Sequence, residues 1–156
     1  TQGKEEKIYI VAYSVEELKS QGDIIIAQDK RNFLNFGHAG EMSDSGFLET
    51  ATGVETSLEK GYVMVRDGSI TAVSTNLEIS QNNLGSVEIV IYRNGEQVSF
   101  GNTIDAGAQG VKNDYDVQSR DTVIFRAGDV ISVYAQEKGD VVWKDVTTIV
   151  EITTTS

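Results

Sequence analysis

Apolar residues along this chain recur at every second position more often than at helical spacing, and most are β-branched or aromatic. Those side chains suit a pleated, half-buried surface. Between positions 87 and 93, Val87, Ile89 and Ile91 share one face while Glu88, Val90 and Tyr92 take the other. Asn94-Gly95 follows and supplies the positive φ angles of a type I′ turn, which predicts a hairpin of residues 87–93 with 96–104. Residues 58–80 read the same way about Asp67-Gly68, with Tyr62, Met64, Ile70 and Ala72 as the alternating apolar positions. Residues 122–126 and 130–136 bracket a third turn at Ala127-Gly128-Asp129. Strands at 141–143 and 146–154 follow; in the second, Val146, Thr148, Val150 and Ile152 fall on one side.

Two stretches lack that alternation. Residues 38–46 are rich in glycine, serine and aspartate and read as a loop, and residues 101–115 read as a longer one. Residues 23–27 and 31–36 read as strands. The N-terminal segment, 1–30, admits two descriptions. Residues 7–13 suit a strand, and Ser14 to Glu17 spells a capping box that opens a short helix through Lys19. Alternatively, Ile8, Val11, Val15 and Leu18 stand at heptad a and d positions, as in a stalk or intersubunit arm. The remainder, 31–156, is a separate head. Its many short strands, regular turn signals and lack of an internal repeat predict an all-β sandwich or jelly roll.

Composition narrows the chemistry. A chain of 156 residues is one domain in length, enough to bury about 68–70% of its unfolded surface without staples. It has no cysteine, which excludes disulfides, thiol nucleophiles, thiolate zinc sites and iron–sulfur clusters. It has no proline either, so its turns must come from glycine, asparagine and aspartate. Thirteen basic and twenty-four acidic residues give a net charge of −11, which argues against nucleic-acid partners and anionic membranes. The longest apolar run, 24–27, falls far short of the ~20 residues of a membrane helix, so no membrane insertion is expected. The chain opens on Thr1 as a fragment or processed form would, and no secretory signal is read after it.

His38 is the only histidine and lies in Gly37-His38-Ala39-Gly40 without a Gly-x-Ser-x-Gly elbow, partner histidines or thiolates. It reads as a loop histidine meeting solvent or a neighbouring chain. A glycosidase needs two carboxylates at a set spatial separation, and no pair can be singled out here. Asn113, Asp114, Tyr115 and Asp116 carry oxygen-bearing side chains at successive positions, as calcium loops do, but lack the glycine and distal glutamate of an EF-hand. They suit sugar hydroxyls as well, and also an ordinary solvated loop. No glycine-rich phosphate cradle occurs. The aromatic residues are expected to fill the core rather than form a stacking platform. Trp143 is expected to cap a sheet edge or meet another subunit.

Five stretches in order carry a family resemblance: FLNFG at 33–37, GYVMVRDGSITAVS at 61–74, IYRNGEQV at 91–98, FRAGDVISVYA at 125–135 and VTTIVEI at 146–152. The succession resembles the trimeric jelly-roll heads, similar to tumour necrosis factor and the complement globular heads, that end phage fibres and bacterial collagen-like surface proteins. The resemblance implies an all-β, antiparallel β-sandwich with jelly-roll topology that forms a homotrimer and presents loops for recognition. It brings no catalytic residue, cofactor or metal. The absence of a Gly-X-Y stalk departs from the collagen-like members and favours a phage or virion component.

The function expected is a non-enzymatic trimeric head on a virion or extracellular surface. It would recognise a host glycan or protein receptor through Asn113, Asp114, Tyr115 and Asp116. The alternative is a structural capsid or appendage protein that trimerises to stabilise a particle. A depolymerase ranks behind both.

Overall fold

The computed structural model describes residues 28–81 and 84–155; the expected strand, helix or stalk within 1–27 lies outside them. The described chain is all-β. Its strands are β1 (Asp29–Met42), β2 (Gly46–Phe47), β3 (Glu49–Thr50), β4 (Tyr62–Val63), β5 (Gly68–Gln81) and β6 (Ser86–Arg93). They continue with β7 (Glu96–Asp105), β8 (Gly110–Val117), β9 (Ile124–Phe125), β10 (Val130–Lys138) and β11 (Val142–Thr155).

They form a sandwich of two antiparallel sheets. One has the order β3-β1-β11-β5-β8, with β9 also on β5; the other has β2-β10-β6-β7, with β4 also on β10. The pairings nest along the sequence: β6 with β7, β5 with β8, β4 with β10, and β1 with β11. Alternation drives this arrangement, because each strand commits every second side chain to the space between the sheets. Val73, Leu77 and Ile79 of β5 and Val146 and Val150 of β11 face Val87, Ile89, Ile91, Ile131 and Val133 of the opposite sheet. Phe36, Phe100, Phe125 and Trp143 fill the same core.

One polar bridge crosses that core. Thr75 Oγ1 donates to Asn102 Oδ1 at 2.8 Å and lies 2.9 Å from Thr148 Oγ1, while Asn102 Nδ2 donates to Val73 O at 3.4 Å. Asn102 comes from β7 and the others from β5 and β11, so the bridge ties sheet to sheet. All three polar residues are buried and each has a partner, as buried polar groups require.

The Asn94-Gly95 hairpin forms as expected, with φ of 52° and 80° at its two central residues. Asp67-Gly68 does not. β4 pairs with β10 and β5 with β11, so this dipeptide is a link between sheets. Glycine is needed there for space: a Cβ on Gly68 would stand 2.5 Å from the carbonyl oxygen of Thr153. Ala127-Gly128-Asp129 is a turn, but β9 and β10 on either side belong to different sheets.

Both predicted loops are largely strand. β1 runs through His38 to Met42, with a bulge between His38 and Glu41. Of residues 101–115, only 106–109 connect β7 to β8. The last two predicted strands are one, β11, interrupted opposite β5 by an irregularity at Asp145, whose φ is 58°. Trp143 caps no edge. It is fully buried on the sheet's central strand, with no acceptor for its Nε1.

Candidate recognition surfaces

Strand alternation that fills the core also builds two outer faces, and each gathers residues from distant parts of the chain. On the β1-β11-β5-β8 sheet, register aligns Asn35, Ile149, Ser74 and Tyr115 in one row. Phe33, Glu151, Ala72 and Val117 form the next, and Gly37, Thr147, Asn76 and Asn113 a third. Phe33, Tyr115 and Val117 are 59%, 76% and 67% exposed. Glu151 is the one charged residue in these rows. Its carboxylate accepts from Thr71 Oγ1 at 2.7 Å and lies 3.7 Å from Arg31 Nε. Between Tyr115, Ile149 and Asn76 the face dips into a depression of about 390 Å³.

The four predicted site residues lie on this sheet's edge strand, β8, not in a loop. Alternation sends Asn113 and Tyr115 to the outer face and Asp114 and Asp116 to the opposite side. Asp114 Oδ2 accepts from the backbone of Thr103 at 3.1 Å, and Asp116 Oδ1 from that of Val117 at 2.9 Å. Asn113, Asp114 and Tyr115 all border the 390 Å³ depression, whereas Asp116 borders a separate cleft. Among the described residues no group of three histidine, cysteine or acidic side chains is placed to hold a metal ion.

On the other outer face, β2 lies beside β10 with Phe47 opposite Tyr134, and Tyr134 pairs through Val90 toward β7. Phe47, Tyr92 and Tyr134 form a cluster with ring centroids 4.8, 5.8 and 6.3 Å apart, two of the three contacts edge-to-face. All three rings are half-exposed. The expectation that aromatics serve the core is therefore wrong for this trio. Its members stand far apart in sequence, and the period-two position of Tyr92 with Glu88 and Val90 was the only signal available. A polar cleft of about 340 Å³ lies on this side, lined by Glu88, Gln97, Ser99, Thr103 and Asp116 among others. None of the three rings lines that cleft. A partly exposed ring can hold the apolar face of a sugar, and amides, hydroxyls and carboxylates its hydroxyl edge.

His38 sits on β1, and its Nδ1 lies 2.8 Å from Glu49 Oε2 of the adjacent β3, so its contact is made within the chain. A second polar clasp joins two turns. Asp129 accepts from the backbone of Arg126 at 2.8 Å and from Asn94 Nδ2 at 2.9 Å, and Asn94 Oδ1 accepts from the backbone of Val130. The Arg126 N–H, then the Asn94 amide, hold the Asp129 carboxyl below its ordinary range. Comparison with protein-family models and with curated proteins finds no match to this chain.

Proposed function

We propose that this domain is a non-enzymatic, homotrimeric head of jelly-roll topology on a virion or other extracellular surface, recognising a host glycan or protein receptor. The nested strand pairing supports the topology. The observation that carries the reading is the charge-poor middle of the outer face of β1, β11, β5 and β8, bounded by the next row, where Lys144 pairs with Glu78 at 3.8 Å. On a chain of net charge −11, copies repel each other over most of their surface. They can approach where three rows of side chains hold one carboxylate, already neighboured by Arg31, and expose Phe33, Tyr115 and Val117. Depletion of charge around exposed aromatics is the composition of an interface core.

With that face turned inward, the opposite sheet looks outward and presents Phe47, Tyr92 and Tyr134. This trio replaces residues 113–116 as the proposed recognition platform, with a neutral saccharide as ligand. The platform also favours recognition over a purely particle-stabilising role, which would use only the first face. Sedimentation equilibrium tests the assembly: the expected mass is about three times the 17.0 kDa chain, and a monomer at micromolar concentration overturns the trimer. Glycan-array binding tests recognition, with loss on Tyr134→Ala expected and retention counting against the platform.

A further inference from the structure

We infer that the crevice at the open side of the sandwich binds a small amphipathic anion, an aliphatic or aryl carboxylate. The crevice arises from the topology. β3 meets β1 only at Phe36 and Gly37, so among the described residues the Asp29–Asn35 part of β1 borders its sheet, while β4 borders the other sheet beside β10. Tyr62 spans the two borders: its hydroxyl donates to Asn35 O at 2.9 Å and accepts from Ala51 N at 2.9 Å. Next to this strut is an opening of about 300 Å³, at the lower end of the range for small-molecule sites. Leu34, Met64, Phe125 and Ile152 line it, so a ligand entering there reaches side chains of the hydrophobic core.

Its charge sets it apart. The lining contains Lys30 and Arg66 and no aspartate or glutamate, in a chain where acids outnumber bases twenty-four to thirteen. Neither cation has an ion pair among the described residues, a state they share with Lys60, Arg93, Lys112 and Arg126, so it is the acid-free lining that distinguishes this opening. A neighbouring cleft of similar volume shows the contrast: there Arg120 and Arg126 share the lining with Asp67 and Asp121. Two cations without carboxylates at an apolar opening suit a ligand with one anionic head and a hydrocarbon body. The head gains charge-assisted hydrogen bonds and the body leaves water.

Octanoate, octanol and octyltrimethylammonium share a chain and differ in head charge, so titrating the full chain with each separates the two contributions. Backbone and methyl NMR shifts report the site. Octanoate is expected to shift Leu34, Met64 and Ile152 signals and to bind about tenfold more tightly than octanol, a difference of about 1.4 kcal/mol. The cation is expected not to bind. The double variant K30Q/R66Q alters two exposed side chains, and unchanged circular dichroism will confirm its fold. It is expected to bind octanoate no better than octanol. Equal binding of acid and alcohol by the native chain, shifts confined to other residues, or no binding at millimolar octanoate would each overturn the assignment. None of these outcomes depends on the number of chains in the assembly.

Discussion

The two outer faces of this sandwich are made by the same rule and differ in where they place their aromatic and charged side chains. On the β1-β11-β5-β8 sheet, three rows hold Glu151 as their one charge, the next row carries Glu41, Lys144 and Glu78, and the exposed apolar side chains stand apart. On the other sheet, three rings gather into one cluster, and Glu88 and Lys138, 3.6 Å apart, stand among the outward side chains. Inner faces must be apolar for the sandwich to form, so they say nothing about use. The outer faces are free to vary, and in the proposed assembly charge would decide which one a second negatively charged copy can approach.

Both faces rest on the core beneath them, and the largest effect is expected there. Trp143 is fully buried on β11, the strand that carries the middle of the first face. Trp143→Ala is expected to cost about 3–5 kcal/mol in denaturant unfolding, with both sheets melting together. Separate transitions for the two sheets would refute a shared core. Tyr115→Glu puts a carboxylate on the outer face of β8. It is expected to leave monomer stability within about 0.5 kcal/mol while shifting the sedimentation mass to monomer. An unchanged mass would remove Tyr115 from the interface. Tyr134→Ala should do the reverse, sparing assembly and abolishing saccharide binding.

A smaller effect is expected at the polar bridge. Asn102→Ala should cost about 1–3 kcal/mol, because Thr75 loses its partner in the opposite sheet and Val73 loses a donor. A smaller effect again should come from salt. Raising ionic strength from 0.01 to 0.15 M shortens the screening length from about 30 to about 8 Å, so association of these −11 chains should tighten. Weakening on the same change would argue for ion pairs at the interface instead.

The smallest effect concerns Asp129. Its carboxyl pKa is depressed in the folded chain, so the stabilisation it provides is complete above the unfolded value. That stabilisation is lost as pH falls through the folded one. Acidification should therefore loosen the Asn94–Val130 clasp first in the amide shifts of Arg126 and Val130. Asp129→Asn should remove that pH dependence, and its persistence would assign it to another group.

The sequence makes local features legible and leaves distant ones hidden. The β6–β7 hairpin could be read because its turn and both strands are contiguous and Asn94-Gly95 does take the positive φ angles it favours. Asp67-Gly68 carries the same kind of signature for a different reason, the closeness of Thr153, which becomes visible only once β11 lies beside β5. Residues 101–115 resemble a loop because their strands turn polar sides to solvent. Gly101 is a strand residue chosen for space, since a Cβ there would stand 2.2 Å from Ile89 O. Neither candidate surface could be found, because each depends on register between strands far apart in the sequence. The proposed site at 113–116 combined four neighbours that a strand sends in two directions.

The place of β11 has a consequence for how the chain is made. It follows every other strand in the sequence, yet it pairs with β1 on one side and β5 on the other along most of their length. During synthesis at about 5–20 residues per second, β1 and β5 leave the ribosome seconds before the strand that joins them. Until then each presents an open hydrogen-bonding edge, the feature that promotes pairing between chains. With no proline in the sequence, no X-Pro isomerisation prolongs that interval. Those waiting edges make strand exchange between neighbouring nascent chains the misassembly to test for in this topology.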